Sequence, residues 1–241
     1  MTAKSTATAT SRDPIAYATG RLSRHVLPNG ISLPAAGGKF ATDGSVQVWP
    51  GNTFVCHVQS GASLDALRAL QEEVKLSRFA RLFTFLPPSS FHMTVFQGRS
   101  PGSAADYDLA QRDRHSETLL DATRGLAFAA DRTVRMVDLF CAHSLTVRGL
   151  DGETETALRQ ARRDLRERTG IQSDDFETYT FHITLGYLLD WVTETTARAL
   201  AEFSHDLQSR HALGLAKIDL GPVAFCNFDT MHHFHPLRQM V

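Results

Sequence analysis

The sequence predicts an α+β fold built of two similar lobes. Three observations carry that expectation. Helix-like and strand-like segments are interleaved along the chain. One short phrase is written twice, "FHMTVFQG" at Phe91–Gly98 and "FHITLGYL" at Phe181–Leu188. Each copy reads as a strand preceded by a helix. The expected architecture is bilobed, with an antiparallel sheet flanked by helices in each lobe and a cleft between them. No linker separates the halves, so residues 21–241 read as one domain behind a flexible leader at residues 1–20.

The elements follow in order. The Thr/Ala/Ser-rich start has no apolar run of the secretory-signal kind. "LPNG", "AAGGKF", "TDGS" and "WPGN" crowd turn signals into residues 21–52, which predicts a loop-rich arm. "NTFVCHVQS" (Asn52–Ser60) predicts a buried strand. Leu64, Leu67, Leu70 and Val74 recur at helical spacing, with Ser63 as the expected N-cap. A strand is predicted in "FTFLPPSSFHMTVFQG" after the Pro-Pro break, then a polar helix over residues 105–125 that stops at Gly125. Strands are predicted at Val134–Phe140 and Ser144–Leu150, and a helix from Glu153 to Thr169 with Gly170 as its C-cap. "YTFHITLGYLLD" gives the next strand, residues 193–211 a helix, and "LAKIDLGPVAFCNFDTMHHFHPL" two closing strands.

Composition narrows the function. A net charge of −1 argues against a long basic groove for duplex nucleic acid, but a small phosphorylated ligand needs only local charge. No apolar run of 18 or more residues occurs, so no membrane span is expected. Cys56, Cys141 and Cys226 lie inside apolar runs without CxxC spacing, which predicts buried free thiols in a reducing cytoplasm.

On a strand, alternate side chains share a face. His92, Thr94 and Phe96 then share one face, as do His182, Thr184 and Gly186, while Phe91, Met93, Val95, Phe181, Ile183 and Leu185 oppose them. One His-Thr pair is an ordinary strand feature; the same pair twice, framed alike by hydrophobes, points to a site. Two imidazoles across a cleft suit acid–base catalysis near neutral pH, one neutral and one protonated. A Thr hydroxyl beside each can donate to a non-bridging phosphate oxygen and stabilise developing charge. In-line attack at phosphorus with a base on one side and an acid on the other needs no metal.

The paired His-x-Thr phrases resemble the two-histidine (2H) phosphoesterase superfamily over about residues 50–235. That group includes RNA 2′,3′-cyclic phosphodiesterases and 2′-5′ RNA ligases. The lead-in "GGKF…DG…WPGNTFVCHV" and the end "AFCNFDTMHHF" resemble an uncharacterised bacterial and fungal branch. The resemblance implies two lobes about a pseudo-twofold axis, His92 and His182 as the acid–base pair, and Thr94 and Thr184 as phosphate ligands. It implies hydrolysis of a cyclic phosphodiester, a 2′,3′-cyclic phosphate on a nucleotide or short RNA end, without cofactor. The alternatives are 2′-5′ ligase-type end joining, a nucleotide-binding module without turnover, and a zinc hydrolase. No protein partner is indicated.

Secondary candidates stand beside this core. Phe96 reads either as a stacking surface for the substrate or as core, and Gly186 as space on the opposite side. Tyr187 falls on the other face of a regular strand and reads as packing. Lys39 in "GGKF" reads either as a phosphate-covering lid or as a solvated lysine, with no Walker pattern around it. His232, His233 and His235 hint at metal, but an edge strand with half-exposed imidazoles accounts for them. Arg159, Arg162, Arg163, Arg166 and Arg168, interleaved with acids, read as a solvated helix face.

Overall fold

A computed structural model describes residues 13–101, 107–129 and 132–241. The chain opens with helix α1 (Pro14–Ala18), whose N-cap Asp13 accepts from the amides of Ile15 and Ala16. Ala16 and Ala18 are buried, and α1 rests on a helix from the far end of the chain, α5 (Glu194–His211). Residues 13–20, expected to belong to a leader, are therefore folded; residues 1–12 lie outside the described residues. The arm that follows contains two short parallel strands, β1 (Ile31–Ser32) and β2 (Phe40–Ala41).

Next come β3 (Gly51–Val58), α2 (Ala62–Lys75), β4 (Phe83–Phe85), β5 (His92–Gln97), α3 (Leu109–Ala122), β6 (Arg132–Phe140) and β7 (Ser144–Gly149). After them run α4 (Gly152–Thr169), β8 (His182–Thr184), β9 (Gly186–Leu188), α5, β10 (Ile218–Thr230) and β11 (His233–Gln239). Capping follows the sequence at α4, where Asp151 accepts from the Thr154 amide and Gly170 closes the helix at φ +66. It departs at α2. That helix starts two residues earlier, behind Gly61, and the Ser63 hydroxyl instead accepts the amide of Asp219 on β10.

The sheet corrects the expectation of a separate sheet in each lobe. Seven strands run in the order β11-β10-β3-β5-β8-β7-β6, all antiparallel, and β10 also pairs with β6. Six strands thus close into a ring, with β11 appended at its edge. The length of β10 explains the closure: Leu220–Phe228 pairs with β3, while Ile218–Leu220 reaches β6. The two phrase-bearing strands, β5 and β8, are direct neighbours. Helix α4 packs on β5 and β7 through buried Leu158, Ala161 and Leu165, α5 packs on β6, and α3 covers β3 and β10. Buried side chains from Ala18 to Met240 join in one hydrophobic cluster. All three cysteines are free and buried, and burial pushes each thiol up to about 12. Among the described residues no helix is long and apolar enough to cross a membrane.

Candidate active site

The site begins with strand alternation. Phe91, Met93 and Val95 are buried beneath helices, whereas His92 and Thr94 are only half-buried. On β8, Phe181 and Ile183 are buried while His182 and Thr184 are half-buried. Met93 pairs with Ile183, and antiparallel register therefore sets His92 beside Thr184 and Thr94 beside His182. The two histidines are diagonal neighbours on one sheet face, about 7–8 Å apart. They do not face each other from separate sheets; neighbouring strands of one closed sheet carry the whole constellation.

Each ring is oriented by the chain just before it. His92 Nδ1 lies 2.7 Å from the Ser90 carbonyl oxygen, and His182 Nδ1 lies 3.1 Å from that of Thr180. A carbonyl oxygen only accepts, so both Nδ1 atoms carry the proton. Nε2 of each neutral ring is then left as the base, the tautomer that site chemistry needs. Burial pushes His92 down to about 3, opposed by the Ser90 carbonyl and reinforced by His57, His182 and Lys39. His92 is therefore neutral throughout the neutral pH range. The Thr184 hydroxyl has no hydrogen-bond partner among the described residues, while the Thr94 side chain meets the Tyr179 hydroxyl.

Neighbouring strands extend the face. His57 pairs with His92 across β3 and β5, their ring centroids 6.1 Å apart. Burial, with the charge of His233, keeps His57 below its ordinary value. Phe234 of β11 lies over the His92 ring at 4.2 Å between centroids. On the other side, Ser144 and Thr146 of β7 pair with Thr184 and His182. Lys39 reaches the site from the arm; its ammonium sits 5.4 Å from the Tyr187 ring centre, close enough to His92 to disfavour an imidazolium there.

Residues 39–103, which include Lys39 and the first His-x-Thr phrase, match the family model 2H-phosphodiest, described as a domain of unknown function (DUF1868). That segment is thus similar to the 2H phosphoesterase family. The chain also has the fold of a crystal structure titled as a conserved protein of unknown function, ATU0111, from Agrobacterium tumefaciens str. C58. The TM-score is 0.80 at 24% identity, over 95% of this chain and 100% of that one. No curated protein matches the sequence.

Within this chain, the structure brings together His92, Thr94, His182, Thr184 and Lys39, and it removes Phe96. Val55 pairs with Thr94 but Phe54 pairs with Phe96, so Val95 is an extra residue, a β-bulge. The bulge reverses alternation beyond it. Phe96 turns away from the histidines and is 0% exposed, packed with Phe54, Phe176 and Arg162. It is core. Gly186 is likewise no opening for substrate: an added Cβ would lie 2.6 Å from the Thr84 carbonyl oxygen, where β4 and β9 pair. The single strand predicted over "YTFHITLGYLLD" breaks at Leu185, whose carbonyl accepts from Leu86 N and Gln71 Nε2.

Arg162 corrects the solvated reading of α4. It is 1% exposed, donates from Nη1 to the Val95 carbonyl at 2.6 Å, and lies 3.9 Å from the Tyr179 ring centre. Arg159 and Arg166 are paired with Glu155 and Glu177 as a surface face would be. His233 and His235 stand exposed on the edge strand β11, ring against ring at 4.2 Å. Asp229 is engaged by Arg112, and among the described residues no three His, Cys, Asp or Glu side chains form a metal-binding group. Sequence reasoning missed His57 and Phe234. Alternation within "VCHV" offered His57; Phe234 is visible only once β11 folds back beside β10.

Proposed function

We propose that the protein is a phosphoesterase that opens a cyclic phosphodiester, a 2′,3′-cyclic phosphate on a nucleotide or short RNA end. One observation carries the reading. Two His-Thr pairs share one sheet face in register, and each imidazole is held through Nδ1 by the carbonyl two residues earlier. A phosphate between the Nε2 atoms would receive hydrogen bonds from the Thr94 and Thr184 hydroxyls and charge from Lys39. His92, held neutral by desolvation and by the neighbouring charges, takes a proton from water. The water oxygen forms its bond to phosphorus as the ring P–O bond breaks, and protonated His182 gives its proton to the departing ribose oxygen. The product is a phosphomonoester, and solvent resets both imidazoles. The two rings supply both proton transfers, so this route calls for no cofactor.

The test is turnover of a nucleoside 2′,3′-cyclic phosphate in EDTA. His92→Ala and His182→Ala are each expected to lower kcat/KM by about 10²–10⁴. The acid limb of the kcat/KM profile is expected well below pH 6.5, since His92 in the free protein resists protonation. Activity abolished by EDTA, or unchanged in both variants, would sink the reading. So would an acid limb at or above the ordinary histidine value.

A further inference from the structure

The face that bears the histidines continues onto β7 and β6. Ser144, Thr146 and Arg148 alternate along β7 with buried Leu145 and Val147, and Thr146 pairs with His182. Arg148 therefore points to the same side as the site, two residues beyond Thr146. One strand further on, Arg135 of β6 pairs directly with Arg148. Opposed residues of antiparallel strands project together, about 4.5–5.5 Å apart at Cβ. Both arginines are exposed, and among the described residues neither has an ion pair, a hydrogen bond or a ring contact. This sets them apart from Arg159, Arg166, Arg198 and Arg210, each matched to a carboxylate. Two like charges directly opposite one another repel unless an anion lies between them.

We infer that Arg135 and Arg148 form a subsite for a second phosphate of the substrate. The inference rests on the phosphoesterase reading of the His-Thr face. From His182, Arg148 lies one strand across, about 4.8 Å, and two residues along, about 6.6 Å, a backbone diagonal of about 8 Å that a long arginine side chain narrows to one ribose-phosphate unit. A phosphate held at the histidines would then place the next phosphate of a nucleotide chain before the two guanidiniums, which match phosphate oxygens bidentately. Thr146 lies on the intervening face, where its hydroxyl can meet a ribose. The preferred substrate is thus a cyclic phosphate that carries a further phosphate on the same sugar, as an RNA end does, and not a bare nucleoside 2′,3′-cyclic phosphate.

The test is calorimetric and needs no turnover. A nucleoside 3′,5′-bisphosphate is compared with the 3′-monophosphate, in EDTA, on the wild-type protein and on the Arg135→Ala/Arg148→Ala double variant. The bisphosphate is expected to bind the wild type about tenfold or more tightly. The double variant is expected to lose that advantage while keeping its affinity for the monophosphate. Equal binding of the two ligands by the wild type would overturn the subsite, as would an advantage that survives both substitutions. A bisphosphate advantage that depends on the arginines, with no turnover of any cyclic phosphate, would instead overturn the hydrolytic reading and leave the subsite standing.

Discussion

His92 and His182 are held alike: each ring meets the carbonyl oxygen two residues earlier, Ser90 and Thr180. The tautomer is thus written locally, within three residues of each phrase, before any tertiary contact. What distinguishes the two rings is their neighbours. His92 lies between His57 and Phe234, whereas His182 adjoins Thr94 and Thr146. Burial beside other cationic groups keeps His92 neutral and suits it to the base role. The threonines have a role of their own: the Thr184 hydroxyl is unengaged, and the Thr94 hydroxyl meets a tyrosine hydroxyl, Tyr179, that can yield to a substrate oxygen. Thr94→Val and Thr184→Val, isosteric but without a donor, are each expected to lower kcat by roughly 10² with little change in folding. Thr→Ser at either position should restore most of the rate. Full activity in both valine variants would remove the hydroxyls from the transition state.

At the level of elements, two local breaks shape the site more than the regular strands do. The bulge at Val95 ends the site face on β5 and sends Phe96 into the core. Its carbonyl is satisfied by the buried Arg162 guanidinium, and the Tyr179 hydroxyl reaches the Thr94 carbonyl at 3.4 Å. The second break, at Leu185, parts β8 from β9 and turns the chain to pair with β4. Gly186 is required there by close backbone approach. Gly186→Ala would press a methyl group against the Thr84 carbonyl oxygen and is expected to cost about 1–3 kcal/mol. Chemical denaturation would show it as a lower midpoint. A midpoint equal to the wild type would mean that β4 and β9 separate freely.

Across the whole molecule, buried imidazoles make folding sensitive to acid. Desolvation is the first cause of depression at His92, down to about 3, at His143, down to about 4, and at His57 and His232. These rings stay neutral in the folded chain but accept protons in the unfolded chain below its ordinary value near 6.5. The unfolded state then binds more protons, so stability rises with pH across this interval. It is expected to be level above about pH 7 and to fall steadily from pH 6.5 towards 4. Thermal unfolding at pH 5 should therefore begin several degrees below that at pH 7.5. Identical midpoints at the two values would show that the rings titrate in the folded protein as they do in water.

Much of the site was legible in the residues themselves. Alternation in "FHMTVF" and "FHITL" put two His-Thr pairs on polar faces against apolar backs, and Gly170 marked the end of α4. These are properties of neighbours in the chain, fixed by strand period and helix capping. Lys39 was an open choice until the arm brought it beside His92. Other features depend on partners far along the chain. Pairing of Met93 with Ile183 made the histidines diagonal neighbours, and the reach of β10 to both β3 and β6 closed one sheet where two were expected. An extra residue at Val95 reversed the face of Phe96, and helix packing buried Arg162. Register between distant strands is set by which faces must be buried together. The sequence by itself determined which side chains stand beside each other along a strand; only the tertiary structure decided which strands lie side by side, and so what the histidines face.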